Sequence, residues 1–138
     1  MTEQNKRITS LLIRHEGMKL RAYFCPAGKI TIGVGRNLED NGISEEEALY
    51  LLENDIIRIR LGASRAFEWF RDLSEVRQEV VISMIFNLGF SKFADFRGMI
   101  AALSRGDFDR AASEMLSSRW AGQVGKRAAE LADMMRTG

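Results

Sequence analysis

The sequence predicts an α+β fold that is mostly helical, with one small β-hairpin as the departure from helix. Two observations lead there. Apolar residues recur at spacings of three and four over most of the chain, and there is only a single proline in 138 residues. Only after Gly17 does the period fall to two: Leu20, Ala22 and Phe24 alternate with Lys19, Arg21 and Tyr23, then Ile30, Ile32 and Val34 with Thr31 and Gly33.

Taken in order, Ile8, Leu11, Leu12 and His15 define one face of a first helix, spanning 3–16, with Thr2 or a neighbouring polar residue at its start and Gly17 at its end. The run CPAG, Cys25 to Gly28, supplies the hairpin turn, since proline fixes its own φ and glycine admits φ > 0. Alternation puts Thr31 on the face opposite Ile30 and Ile32. Gly33 and Gly35 carry no side chain and leave room for an extended ligand, such as a sugar chain, to lie close to the backbone. The polar stretch RNLEDNGIS, Arg36 to Ser44, reads as a loop with a reversal at Asn41-Gly42.

Ser44 and Glu47 form a capping box, so a helix is expected from Glu45 to about Leu61, with Ala48, Leu51, Leu52, Asp55 and Ile56 on one face and Arg58 and Arg60 near its cation-preferring end. Phe67, Trp69 and Phe70 belong to a short helix. Ser74 caps the core helix, which carries Val80, Val81, Met84, Ile85 and Leu88 and stops at Gly89. One helix is expected through Phe93, Phe96, Met99, Ile100 and Leu103 to Gly106, and another through Phe108, Ala111, Ala112, Met115 and Leu116. Aromatics and methionines at this spacing are packing residues, with Trp120 a core anchor.

Composition narrows the chemistry. Twenty basic and nineteen acidic residues leave a net charge of +1, which offers no field for nucleic acid. The stretch Leu88 to Gly138 holds eight Lys or Arg against six Asp or Glu, a surplus of two that weakly favours an anionic polymer. The single cysteine excludes an internal disulfide. There is no HExxH, CxxC or Walker-type loop and no metal-ligand cluster, and IGVGRN is too short for a dinucleotide fold, so neither a metal nor another cofactor is expected. The polar start MTEQNKRITS lacks an apolar signal region, and no stretch is long enough to insert in a membrane. What remains is a carboxyl, a thiol and a hydroxyl, Glu16, Cys25 and Thr31, around the hairpin. Glycoside cleavage needs a carboxylic acid and a second group on the opposite face of the sugar, and this chain supplies both.

The run Glu16, eight residues, Cys25, five residues, Thr31, followed by IGVG, resembles the active-site signature of the phage-type lysozymes, glycoside hydrolase family 24, the family of the T-even phage endolysin. In that pattern an Asp or Cys occupies the second position. The segments Val76 to Gly89 and Ser118 to Gly138 resemble the family's core and C-terminal helices, so the likeness covers nearly the whole chain. It differs from the T-even enzyme in a shorter loop at 36–44 and in Arg36, which stands where that enzyme has a His.

The resemblance implies a lysozyme-like single domain: a hairpin lobe 17–44, a linking helix 45–61, and a helical lobe 62–138 on which helix 3–16 packs. It implies an inverting muramidase that hydrolyses the β-1,4 bond between N-acetylmuramic acid and N-acetylglucosamine of bacterial peptidoglycan and lyses the cell. Glu16 would be the general acid, partly buried at a cleft floor where desolvation favours its protonated form. Cys25 would serve as base or charge stabiliser, and Thr31 would help hold the attacking water. Arg127 would pair with Glu16, and Gln123, Asn87 and Gly33 would support or contact the glycan. A thiol ionises higher than a carboxyl, so without a cation or a backbone donor beside Cys25 the rate optimum moves to higher pH and the site becomes sensitive to oxidation. The expected partner is peptidoglycan, acted on by a monomer held in the host cytoplasm until a holin releases it. The alternatives are a lytic transglycosylase, which needs Glu16 alone, and an inactive peptidoglycan-binding protein.

Overall fold

A computed structural model describes residues 1–138. The chain divides into two compact units, Met1–Tyr50 and Leu51–Gly138, and the division falls inside one long helix.

In the first unit, α1 (Glu3–Glu16) begins where the Thr2 hydroxyl accepts the Asn5 N–H at 3.0 Å, and it ends where Gly17, at φ 77°, donates its N–H to Ile13 O at 2.8 Å. β1 (Lys19–Phe24), β2 (Ile30–Gly33) and β3 (Arg36–Asn37) form an antiparallel sheet in that order. Tyr23 pairs with Thr31 and Phe24 with Ile30, while the register shifts between Lys19 and Tyr23. Cross-strand partners share a face, so Tyr23 and Thr31 look inward together. Phe24 (72% exposed), Ile30 (39%) and Leu20 (83%) are left in solvent, and Thr31 (3%) is the buried member of the alternation.

The expected loop at 36–44 is instead β3 followed by a one-turn helix, α2 (Leu38–Asn41). Asn37 causes this by doing two jobs: its backbone pairs with Thr31, and its side chain caps α2 by accepting the Asp40 N–H at 3.0 Å. The capping box closes as the sequence predicts, with Glu47 N–H to Ser44 Oγ at 3.1 Å and Ser44 N–H to Glu47 Oε1 at 2.9 Å. Arg36 then grips Glu47 through two bonds of 2.9 and 2.7 Å and donates to Gly42 O at 3.2 Å.

The helix so started, α3, runs Glu45–Ala66, past the predicted end at Leu61. Gly62 does not stop it. The Phe90 ring lies over the Gly62 Cα, where an added Cβ would meet Cζ at 2.5 Å, so this glycine serves close packing. Ile59 and Ala63 on the same helix enter the core of the second unit.

That core is built around α4 (Glu75–Leu88), capped by Ser74 and buried on several sides through Val80, Val81, Ile82, Met84 and Ile85. A helix apolar around most of its circumference must be surrounded. α5 (Phe90–Ala94) and α9 (Lys126–Thr137) pack directly on it, and a 3₁₀ turn (Glu68–Asp72), α6 (Arg97–Ser104), α7 (Phe108–Leu116) and α8 (Arg119–Val124) complete the same core. Phe70, Phe93, Met99, Met115 and Met135 are essentially sealed, each contributing about 2–3 kcal/mol by leaving water. The single helix expected from Phe93 to Leu103 is two, because Phe96 leaves the helical region at ψ 61°. Its ring then lies 6.3 Å from Phe93 and edge-on to Trp120 at 6.2 Å. Arg77 donates to Met135 O at 2.8 Å and Arg136 O at 3.0 Å, a cation on the last carbonyls of α9, and stacks 3.6 Å over the Phe108 ring. No helix is long and apolar enough to cross a membrane.

Candidate active site

The first unit carries Glu16, Cys25, Thr31 and Gly33. Glu16 is the last residue of α1 and is exposed, which corrects the expectation of a partly buried acid: nothing in its own unit takes it out of water. Its side chain lies instead along Gly35. A Cβ built on Gly35 would stand 3.2 Å from Glu16 Oε2 and 3.5 Å from Cδ and Cγ, so the room expected there for a sugar is filled by the carboxyl itself. Gly33, at φ 70°, has nothing within 4 Å of an added Cβ and remains open.

Cys25 is half-buried where β1 enters the turn. Gly28, at φ 79°, donates to Cys25 O at 2.8 Å, and Cys25 N–H donates to Lys29 O at 2.9 Å, which closes a tight loop under the sulfur. The backbone N–H of Lys29 is the main cause that holds the Cys25 thiol below its ordinary value; burial opposes it, and the Ala27 N–H assists. Of the two expected sources, a cation or a backbone donor, it is the backbone donor that acts on Cys25, and Arg36 is committed to Glu47. The Thr31 hydroxyl contributes to the same lowering, after the two amides. It has one proton, however, and gives it to Lys29 O at 2.8 Å, so we take it as a donor to that carbonyl and an acceptor toward the site.

The second unit carries Asn87, Gln123 and Arg127. Asn87, exposed near the end of α4, accepts the indole N–H of the buried Trp120 at 2.9 Å. Arg127, at the start of α9, donates to Ser83 Oγ at 3.0 Å and Ser83 O at 3.3 Å. Gln123 lines an open groove of about 620 Å³ together with Trp120, Phe96, Lys92 and Arg119. Sequence reasoning missed Ser83 as the hold on Arg127, the Lys29 and Ala27 amides as the hold on Cys25, and Gly35 as the neighbour of Glu16. Only the amides had a signal, the Pro-Ala-Gly turn that folds them back on the thiol.

The family model for phage lysozyme matches residues 13–135, a span that includes all seven of these positions. The chain belongs to the phage lysozyme family. Among this family member's relatives is the endolysin of Acyrthosiphon pisum secondary endosymbiont phage 1, 30% identical over 121 residues that cover 85% of this chain and 80% of the relative. The pre-baseplate central spike protein Gp5 of Enterobacteria phage T4 is 26% identical over 162 residues. That match takes in 97% of this chain and 28% of the spike protein.

Proposed function

We propose that the chain is an endolysin that hydrolyses the β-1,4 bond between N-acetylmuramic acid and N-acetylglucosamine of bacterial peptidoglycan, with inversion at the anomeric carbon. The family match over 13–135 makes it a lysozyme-type glycosidase, and the endolysin relative supports peptidoglycan as the substrate. The observation that carries the reading is the unit holding Glu16, Cys25 and Thr31, where an unpaired carboxyl, a thiol served by backbone amides and a hydroxyl with free lone pairs border one small sheet.

Glu16 acts as general acid and protonates the glycosidic oxygen; the bound glycan supplies the desolvation that the unit lacks. One hydrogen of the attacking water points to the Cys25 thiolate, the base. The other points to Thr31 Oγ1, whose own proton is spent on Lys29 O, so the water lone pair is left for the anomeric carbon. Asn87, Gln123 and Gly33 keep the supporting roles that the family resemblance gives them; Arg127 lies on Ser83 and is assigned no pairing with Glu16. The protein acts as a monomer with no metal or other cofactor, and a holin releases it from the host cytoplasm to the wall.

Reducing-end release from purified peptidoglycan tests this. Glu16→Gln is expected to abolish release and Cys25→Ala to reduce it strongly, while Cys25→Asp retains it. Full activity of Cys25→Ala with anhydro-sugar ends would instead indicate a transglycosylase, and a wild type that binds wall without cutting it would leave only the binding role.

A further inference from the structure

We propose that Gly35 is a positioning residue for the reaction: its missing side chain is the space in which the Glu16 carboxyl lies, so the turn after β2, together with α1, decides where the acid's oxygen stands. The inference rests on Glu16 being the general acid. An exposed glutamate at a helix end has rotamers to choose among, and α1 fixes only its backbone. The Gly35 backbone, close enough that a Cβ would meet Oε2 at 3.2 Å, bounds that choice on one side.

The left-handed conformation at Gly35, φ 71°, is by itself a reason for glycine, but it is not the distinctive one. Gly42, at φ 60°, also has a positive φ, yet an added Cβ there meets nothing within 4 Å. The contact with the acid is what sets Gly35 apart. Because Oε2 is the far end of a flexible, exposed side chain, an alanine at 35 pushes the carboxyl aside and leaves the sheet in place. What is lost is position. A displacement of 1 Å costs about a hundredfold in rate, so a few tenths of an ångström cost roughly three- to tenfold in kcat. KM stays near its original value, since no glycan contact is removed.

The test compares Gly35→Ala with Gly42→Ala, a second glycine of positive φ whose added Cβ meets nothing, each made with Glu16 and with Glu16→Asp, whose carboxyl is drawn back by one methylene. Rates on purified peptidoglycan are read alongside the side-chain carboxyl ¹³C shift of Glu16. Gly35→Ala is expected to move that shift and to lower kcat by roughly three- to tenfold beside Glu16 and less than twofold beside Glu16→Asp. Gly42→Ala moves neither. An unmoved carboxyl shift, or an equal loss of kcat in both backgrounds, overturns the proposal. If the shift moves but Glu16→Gln cuts peptidoglycan as fast as the wild type, the contact stands and the reading of Glu16 as acid fails, and the positioning role fails with it. Should Gly35→Ala not fold, Gly35→Asn presents the same Cβ from a residue that tolerates positive φ.

Discussion

Replacing Asn87 with alanine separates a structural role from a glycan-binding one. Asn87 Oδ1 accepts the Trp120 indole N–H at 2.9 Å, and Trp120 is 3% exposed. Alanine leaves that donor without its acceptor. A buried unmet donor costs about 1–3 kcal/mol, and because Asn87 itself lies at the surface, water reaches part of the way and holds the loss near the low end, about 1–1.5 kcal/mol. For a chain of this length that corresponds to a Tm lowered by about 3–6 °C. Near-UV circular dichroism melts read it directly. Trp120→Phe, which has no N–H to satisfy, completes a cycle in which Asn87→Ala should then cost about 1 kcal/mol less than in the wild type. If the two changes add to within about 0.3 kcal/mol, the hydrogen bond is not what Asn87 contributes and the reasoning is refuted.

Two further outcomes concern ionisation in the first unit. Alkylation of Cys25 by iodoacetamide, followed against pH, is expected to have its midpoint below the ordinary thiol value of 9.0, because the Lys29 N–H, and to a lesser degree the Ala27 N–H, stabilise the thiolate against the opposing effect of burial. A midpoint at or above 9.0 would contradict that arrangement. Glu47 is held down to about 2 from 4.5, first by the Arg36 guanidinium and then by the Ser44 N–H. A carboxyl lowered on folding contributes stability that is complete above its unfolded value and is lost as pH falls through the folded one, so the effect fades between about pH 4.5 and 2. Glu47→Gln should therefore melt below the wild type at pH 6, and the gap should close toward pH 2. A gap that does not change with pH would mean the ion pair contributes nothing. Both partners are substantially exposed, so 1 M salt should narrow the gap at pH 6.

What was legible in the sequence is what short-range chemistry decides. Thr2, Ser44 and Ser74 each cap the helix they precede, and Gly17 and Gly89 end the two they follow, because capping involves residues within one turn of each other. The strands were legible from their period, but not the side the small sheet would bury. Leu20, Phe24 and Ile30 lie in solvent while Thr31 is enclosed, since alternation separates two faces without saying which one meets the protein. β3 and α2 escaped because two paired residues and one helical turn are too short to repeat a period.

The candidate site divides along the same line. Glu16, Cys25 and Thr31 stand out by residue type and spacing, whereas the groups that govern them are backbone: the Lys29 and Ala27 amides under the thiol, and the Gly35 Cα beside the carboxyl. Amides are carried by every residue, so no side-chain pattern marks the ones that are used. The thiol shows why this matters to mechanism. Judged by residue type alone, a neutral cysteine is a poor base and needs a cation or a backbone donor nearby. In the proposed mechanism the Lys29 and Ala27 amides stabilise the charge on Cys25 with dipoles that need no reorganisation, while Arg36 ties β3 to the start of α3 and Arg127 lies on Ser83.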